Sequence, residues 1–207
     1  MLEKVRILLE EAGDRSKFFR RVASFLPPMD PRYRAIEKAY DFAEDAFRDQ
    51  QRESGERYFE HLRAVDLILI DYLRIRNYIP LIAGMIHDII EDIPSWTIER
   101  VRAEFGDEVA LLLDYLTKPS KEDYPSEEER ISVYHGRFPF APRDFWLVKL
   151  SDRLQNLLTM WSLSPEKIAF KIEETERYYL PYAEKHQILI HELEEAIKEL
   201  KKAECHP

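Results

Sequence analysis

The sequence predicts an all-α domain, and three observations predict it. Only 5 of its 207 residues are glycine, so few positions ask for the backbone freedom of tight turns and loops. Glu, Lys, Arg and Leu are plentiful, and these residues lose little rotamer freedom in a helix. Apolar residues recur at spacings of three and four between proline-marked breaks, whereas no convincing period-two run of strand type occurs. With 45% apolar and 34% charged residues the chain is globular rather than disordered. No repeat or low-complexity tract divides it, so a single domain over residues 1–207 is expected. Its parts would be an N-terminal helical arm (1–30), a core (31–185) and a C-terminal helix (186–207).

Each element has its own signal. A helical arm over residues 2–25 ends at Pro27-Pro28. Asp30-Pro31 then reads as a cap followed by a first-turn proline, opening a helix that buries Tyr33, Ile36, Ala39, Tyr40 and Ala43. The polar turn Arg52-Glu53-Ser54-Gly55 closes that stretch. A helix over residues 61–76 buries Leu62, Val65, Leu69 and Leu73, and Asn77 with Pro80 marks its end. Residues 81–92 are apolar around nearly the whole circumference, which predicts one central, buried helix. A cap pattern beginning at Ser95 starts a short helix that Gly106 closes, and another helix covers 107–116. The polar stretch 118–129 reads as a mobile loop. Residues 145–161 form a second strongly apolar helix, and helices over 166–183 and 187–202 complete the series.

Charge and composition narrow the function. Forty acidic against 31 basic residues give a net charge of −9, which argues against nonspecific binding to nucleic acid or an anionic membrane. The longest apolar run, residues 81–86, falls far short of the roughly 20 residues that span a bilayer. The charged N-terminus is no secretory signal, and the single cysteine, Cys205, forms no internal disulfide, so a cytoplasmic protein is expected.

The apolar helices also carry charge, and desolvated unpaired carboxylates are costly. On a continuous helix over 81–92, His87, Asp88, Glu91 and Asp92 fall within an arc of about 140°. Three carboxylates on one buried arc repel one another unless a cation neutralises them, and a divalent metal held by the imidazole and a carboxylate would do so. The plain alternative is a helix end that turns Glu91 and Asp92 into solvent. In the second apolar helix Asp152, Asn156 and Thr159 share one face. There the alternative is Asp152 paired with Lys149 or Arg153 on a solvated surface. His61 opens a third helix, where a lone histidine is usually structural. His135, His186, His191 and His206 lie in polar or terminal surroundings and carry no expected role.

The order His61, His87-Asp88, Asp152 resembles the HD superfamily of metal-dependent phosphohydrolases. The surrounding words are more specific: Arg52-Glu53-Ser54-Gly55, His87-Asp88-Ile89-Ile90-Glu91-Asp92, Phe105-Gly106-Asp107-Glu108, Lys149-Leu150-Ser151-Asp152-Arg153-Leu154-Gln155-Asn156 and Glu174-Thr175. Together, over about residues 33–183, they resemble the hydrolase domain of the RelA/SpoT family, which degrades the alarmones ppGpp and pppGpp. The resemblance implies an HD-type helical bundle that removes the 3′-diphosphate of a nucleotide substrate. His61, His87, Asp88 and Asp152 would hold one divalent ion, manganese in this family. Glu91 and Asp92 would serve catalysis beside it, and Arg52, Ser54, Asn156 and Thr159 would lie near the nucleotide. Two imidazoles and two carboxylates suit such an ion and leave room for water and a phosphate oxygen.

The chain also departs from that family's pattern. Leu62 follows the first histidine where the family usually has proline, and residues 46–50 read Ala-Phe-Arg-Asp-Gln. Glu53 replaces a basic residue, and Gln155 and Leu158 replace the usual histidine and arginine around Asn156. Two other readings stay open: an HD phosphohydrolase of another nucleotide, such as NADPH or a deoxynucleotide, and a non-enzymatic nucleotide sensor, whose signature would be a missing ligand. Leu189, Leu193, Ala196 or Ile197, and Leu200 form a stripe on the last helix. It reads as packing against the chain's own domain or as a homo-oligomer seam.

Overall fold

The computed structural model describes residues 1–204, so Cys205, His206 and the end of the expected 186–207 helix lie outside the described residues. The all-α expectation holds: no β-strand occurs among the described residues, only an isolated bridge between Gln51 and Arg57.

The helical arm expected over residues 2–25 consists of two helices, α1 (Leu2–Glu10) and α2 (Arg15–Ala23). Gly13 at φ +72° turns the chain, and the Asp14 side chain accepts from the Lys17 N–H to cap α2. Asp30 caps α3 (Pro31–Ala46) with Pro31 in the first turn, as the sequence indicates. α4 (Tyr58–Leu67) begins three residues before His61 and winds into a π turn over Ile68–Tyr72, where the Leu73 N–H reaches the Ile68 carbonyl at 2.9 Å. Arg74, at φ +57°, ends that segment.

The expected continuous helix over residues 81–92 is interrupted. α5 (Tyr78–Ile86), capped by the Asn77 side chain, stops before His87, and α6 (Ile89–Asp92) is a single turn. Asp88, at φ −97° and ψ 2°, leaves helical geometry, while His87 Nδ1 bonds the Gly84 carbonyl three residues back at 2.8 Å. The regular rotation assumed for His87 to Asp92 therefore fails at the very residues of interest.

α7 (Ile98–Phe105) is capped by Thr97, not Ser95, and Gly106 at φ +93° links it to α8 (Asp107–Leu116). Much of the stretch read as a loop is ordered, with a 3₁₀ turn at Lys121–Asp123 and then α9 (Glu127–Gly136), which starts on the Ser126 cap. α10 (Arg143–Thr159) follows, then α11 (Pro165–Glu174), a π turn over Thr175–Tyr179, α12 (Leu180–His186) and α13 (Ile190–Glu204).

α5 and α10 are the centre of the molecule. α5 packs on α3, α4, α8 and α10, and α10 on α4, α5, α8, α12 and α13. Residues 79–86 are all buried, and Gly84 lets α4 approach so closely that an added Cβ would stand 2.3 Å from Asp66 Oδ1. The α13 stripe of Leu193, Ala196, Ile197 and Leu200 is buried within this chain, where α13 meets α10 and α1. No helix is long and apolar enough to cross a membrane among the described residues.

Candidate functional site

Three elements bring the site together. α4 supplies His61, the break between α5 and α6 supplies His87 and Asp88, and the middle of α10 supplies Asp152. His61 Nε2 lies 3.3 Å from His87 Nε2, 3.4 Å from Asp152 Oδ1 and 3.8 Å from Asp88 Oδ2. His87 Nε2 lies 3.1 Å from Asp88 Oδ2 and 3.7 Å from Asp152 Oδ1. Four potential ligand atoms, two imidazole nitrogens and two carboxylate oxygens, thus converge from residues 91 positions apart in sequence or fewer, and those of His61, His87 and Asp88 all lie within 4.8 Å of one another. His61, for which a merely structural role was the plain alternative, turns its Nε2 toward this cluster.

Each ring is oriented from behind. His61 Nδ1 lies 2.6 Å from Gln155 Oε1, and His87 Nδ1 lies 2.8 Å from the Gly84 carbonyl. With both Nδ1 atoms donating, both Nε2 lone pairs face the cluster, the arrangement that metal-binding histidines need. The field is equally one-sided. Burial alone would lower the His87 pKa, but the Asp88 and Asp152 carboxylates push it well above its ordinary value. Asp152 is held well below the usual carboxylate range by Lys149 and the two imidazoles, although burial opposes this. The site attracts positive charge, whether proton or cation, and its donor set fits a divalent ion.

Asp152 is paired with Lys149, as its bland reading supposed, yet neither is on a solvated face. Lys149 Nζ donates to Asp152 Oδ2 at 2.9 Å, and the two residues are 4% and 6% exposed. The structure also separates the acidic pair. Glu91 accepts from the Lys118 N–H at 2.8 Å and from Lys118 Nζ at 3.2 Å, so both its oxygens are engaged away from the histidines. Asp92, exposed at its outer edge, lies against the Tyr58 hydroxyl, which also donates to Asp88 Oδ2 at 2.7 Å. Surrounding protein and then the Asp88 charge raise the Asp92 carboxyl above its ordinary value.

Beside this cluster opens a cleft of about 400 Å³ between the Arg52 turn and α10. Arg52 donates from Nη1 to Gln155 Oε1 at 2.8 Å and Thr159 Oγ1 at 3.0 Å, and from Nη2 to Asn156 Oδ1 at 2.5 Å. Ser54 is exposed on the rim, and Lys118, Lys149, Arg153 and Lys171 add cations to a wall that belongs to an acidic chain. Glu53 does not make the rim repulsive, because Lys167 Nζ neutralises it at 2.7 and 2.9 Å.

Arg153 and Glu174 stand in the family-like words of the sequence, but their joint role as the support of that wall was not assigned there. Glu174 is 4% exposed and accepts contacts from Arg153 Nη1 and Lys171 Nζ, both at 3.0 Å. His135, taken as lying in polar surroundings, is buried, stacks on Tyr178 at 3.9 Å and brings Nε2 to 3.4 Å from Glu174 Oε1. The spacing of Arg153, Lys171 and Glu174 carries no periodic signal across two helices. Gln155 was visible only as a departure from the family pattern, and Tyr58 only as a neighbour of His61.

The fold and this His/Asp cluster define an HD domain, and the chain belongs to the HD domain family, whose sequence profile it matches over residues 39–189. It is 38% identical over 152 residues to a Streptomyces coelicolor protein named GTP pyrophosphokinase, covering 72% of this chain and 18% of that protein. It is 36% identical over 149 residues to the Aquifex aeolicus guanosine-3′,5′-bis(diphosphate) 3′-pyrophosphohydrolase, covering 72% and 21%. With the Escherichia coli bifunctional (p)ppGpp synthase/hydrolase SpoT it shares 32% over 182 residues, covering 86% and 25%. The chain thus spans about a fifth to a quarter of the length of these curated relatives. A solved structure described as a metazoan ortholog of SpoT that hydrolyses ppGpp superposes with a TM-score of 0.65, at 21% identity over 80% of this chain and 94% of that one. At that identity the likeness speaks for the fold.

Proposed function

We propose that this chain is a manganese-dependent 3′-pyrophosphohydrolase of guanosine alarmones, converting ppGpp or pppGpp and water into GDP or GTP and pyrophosphate. The observation that carries the reading is the convergence of His61, His87, Asp88 and Asp152 beside a cation-lined cleft in a chain of net charge −9. Relatives named as (p)ppGpp hydrolases support the substrate.

In this reading the four residues hold one divalent ion, which would lower the pKa of a water and polarise a phosphoryl oxygen. Arg52, Ser54, Asn156 and Thr159 position the nucleotide, while Lys118, Arg153 and Lys171 face its anionic oxygens. Water adds to the phosphorus next to the ribose 3′ oxygen, and that oxygen departs and takes a proton. Asp92, poised with Tyr58 beside Asp88, accepts the proton of the attacking water. Glu91 acts from one side by holding Lys118 at the cleft.

A panel of nucleotides incubated with the purified protein and manganese tests this. Pyrophosphate released from the alarmones alone supports the proposal. Orthophosphate released from NADPH or a deoxynucleotide would assign the chain to another HD phosphohydrolase, and nucleotide binding without turnover would make it a sensor.

A further inference from the structure

Arg52 touches none of the four residues that converge on the metal-type cluster, yet its contacts reach two of them through single side chains. Gln155, 3% exposed, accepts at Oε1 from Arg52 Nη1 at 2.8 Å, and the same oxygen lies 2.6 Å from His61 Nδ1. Asn156 accepts at Oδ1 from Arg52 Nη2 at 2.5 Å, and its Nδ2 donates to Asp152 Oδ1, also at 2.5 Å.

A guanidinium can only donate, so it dictates which end of each amide turns toward it. The Gln155 oxygen must face Arg52. Because that oxygen also faces His61, Nδ1 of the ring must carry the hydrogen, which leaves the lone pair on Nε2. Nε2 is the atom aimed at His87, Asp88 and Asp152. The Asn156 oxygen must likewise face Arg52, and its NH₂ group is thereby turned to the Asp152 carboxylate. The planar fork suits this task, because its two terminal nitrogens meet two amides on adjacent residues of α10 at once. His87 needs no such help, since a backbone carbonyl, which cannot flip, fixes its ring.

We propose that Arg52 is a positioning residue for the metal centre, acting through Gln155 to set the tautomer of His61 and through Asn156 to orient Asp152. The nucleotide-facing turn and the metal centre are then one hydrogen-bonded unit, and loss of Arg52 weakens metal binding although no ligand is removed. The proposal rests on the reading that His61 and Asp152 are ligands.

Two measurements on the 207-residue chain test it without turnover: Mn²⁺ affinity from the spin-resonance signal of free ion, and the ¹⁵N shifts of the His61 ring in metal-free protein at a pH where the ring is neutral. Wild-type protein should bind Mn²⁺ and show His61 protonated on Nδ1. Arg52→Ala and Gln155→Leu should each bind Mn²⁺ about 10–100-fold more weakly, the usual effect of removing an outer partner. Their combination should fall short of the product of the two losses, because they break one chain of contacts. Gln155→Glu, which keeps an oxygen for both donors, should retain wild-type affinity, and Arg52→Lys, lacking the fork, should not. Wild-type affinity in Arg52→Ala and Gln155→Leu would overturn the proposal, as would a wild-type His61 protonated on Nε2. Wild-type protein that binds no Mn²⁺ would instead overturn the ligand reading, and the His61 tautomer would still decide the relay from Arg52 to Gln155.

Discussion

His61 and His87 present their Nε2 atoms to each other across 3.3 Å, and each ring's other nitrogen is already committed, one to Gln155 and one to the Gly84 carbonyl. Two lone pairs turned into the same small volume, with the Asp88 and Asp152 carboxylates beside them, repel unless positive charge lies between. Donor type, donor number and field together explain why this point in the fold suits a divalent cation.

Asp152→Asn should lose metal and stability together. The amide removes a ligand charge, so Mn²⁺ affinity should fall by more than the ~100-fold that loss of an outer partner can cost. It also leaves the buried Lys149 ammonium without its carboxylate, a change of about 3–5 kcal/mol in folding stability. Metal titration and denaturant unfolding read the two effects separately. Full metal occupancy in the variant would remove Asp152 from the ligand set.

The acidic pair should divide its labour. Asp92→Asn should retain metal while turnover falls by ~10²–10⁴, the usual worth of a positioned proton-transfer group. Glu91→Gln should cost less, because the amide oxygen can still accept from the Lys118 N–H and only the ion pair with Nζ is lost. Single-turnover rates on metal-loaded protein decide it, and a larger loss in Glu91→Gln than in Asp92→Asn would reverse the assignment.

Much of this was legible in the sequence, and the failures have physical causes. Asp30-Pro31 and the spacing after it gave α3 correctly, and the two most apolar segments did become the central helices α5 and α10. The projection at 100° per residue failed between His87 and Asp92, because it assumes an unbroken helix and a side-chain bond from His87 to Gly84 helps end this one. The same break sends Glu91 toward Lys118, in a stretch read only as a loop. α9 was missed because its first turn is three glutamates, which reads as polar chain until the Ser126 cap is weighed. His135 and Glu174 lie far apart in sequence, and only packing brings them together.

Gly84→Ala should destabilise the protein by about 1–3 kcal/mol, since the new methyl meets the fully buried Asp66 carboxyl at 2.3 Å and Leu69 at 3.1 Å. Asp66 has no hydrogen-bond partner at either oxygen, so removing its carboxyl forfeits no bond. In an Asp66→Ala background only the 3.1 Å contact with Leu69 remains, so the Gly84→Ala change should cost clearly less than it does in the wild-type chain. Urea unfolding of the four proteins gives the cycle, and additive effects would contradict this packing.

Glu174 gives a pH dependence with a definite sign. Burial opposes its charge, but Arg153, His135 and Lys171 outweigh that and hold the carboxyl well below its ordinary 4.5. A depressed pKa contributes stability above about pH 4.5, which drains away as pH falls further. Glu174→Gln leaves two cations unbalanced and should cost about 3–5 kcal/mol near pH 7. Its deficit against wild type should shrink steadily below about pH 4.5. A deficit independent of pH would mean that shape, not charge, is what Glu174 contributes.

The products formed from ppGpp by the manganese-loaded protein test the central claim most directly. Anion-exchange separation of the reaction should show GDP and pyrophosphate rising in equal amounts, with no orthophosphate, and no reaction after the metal is chelated. Orthophosphate as the first product, undiminished turnover in chelator, or ppGpp left intact by protein with a full complement of manganese would each contradict the account.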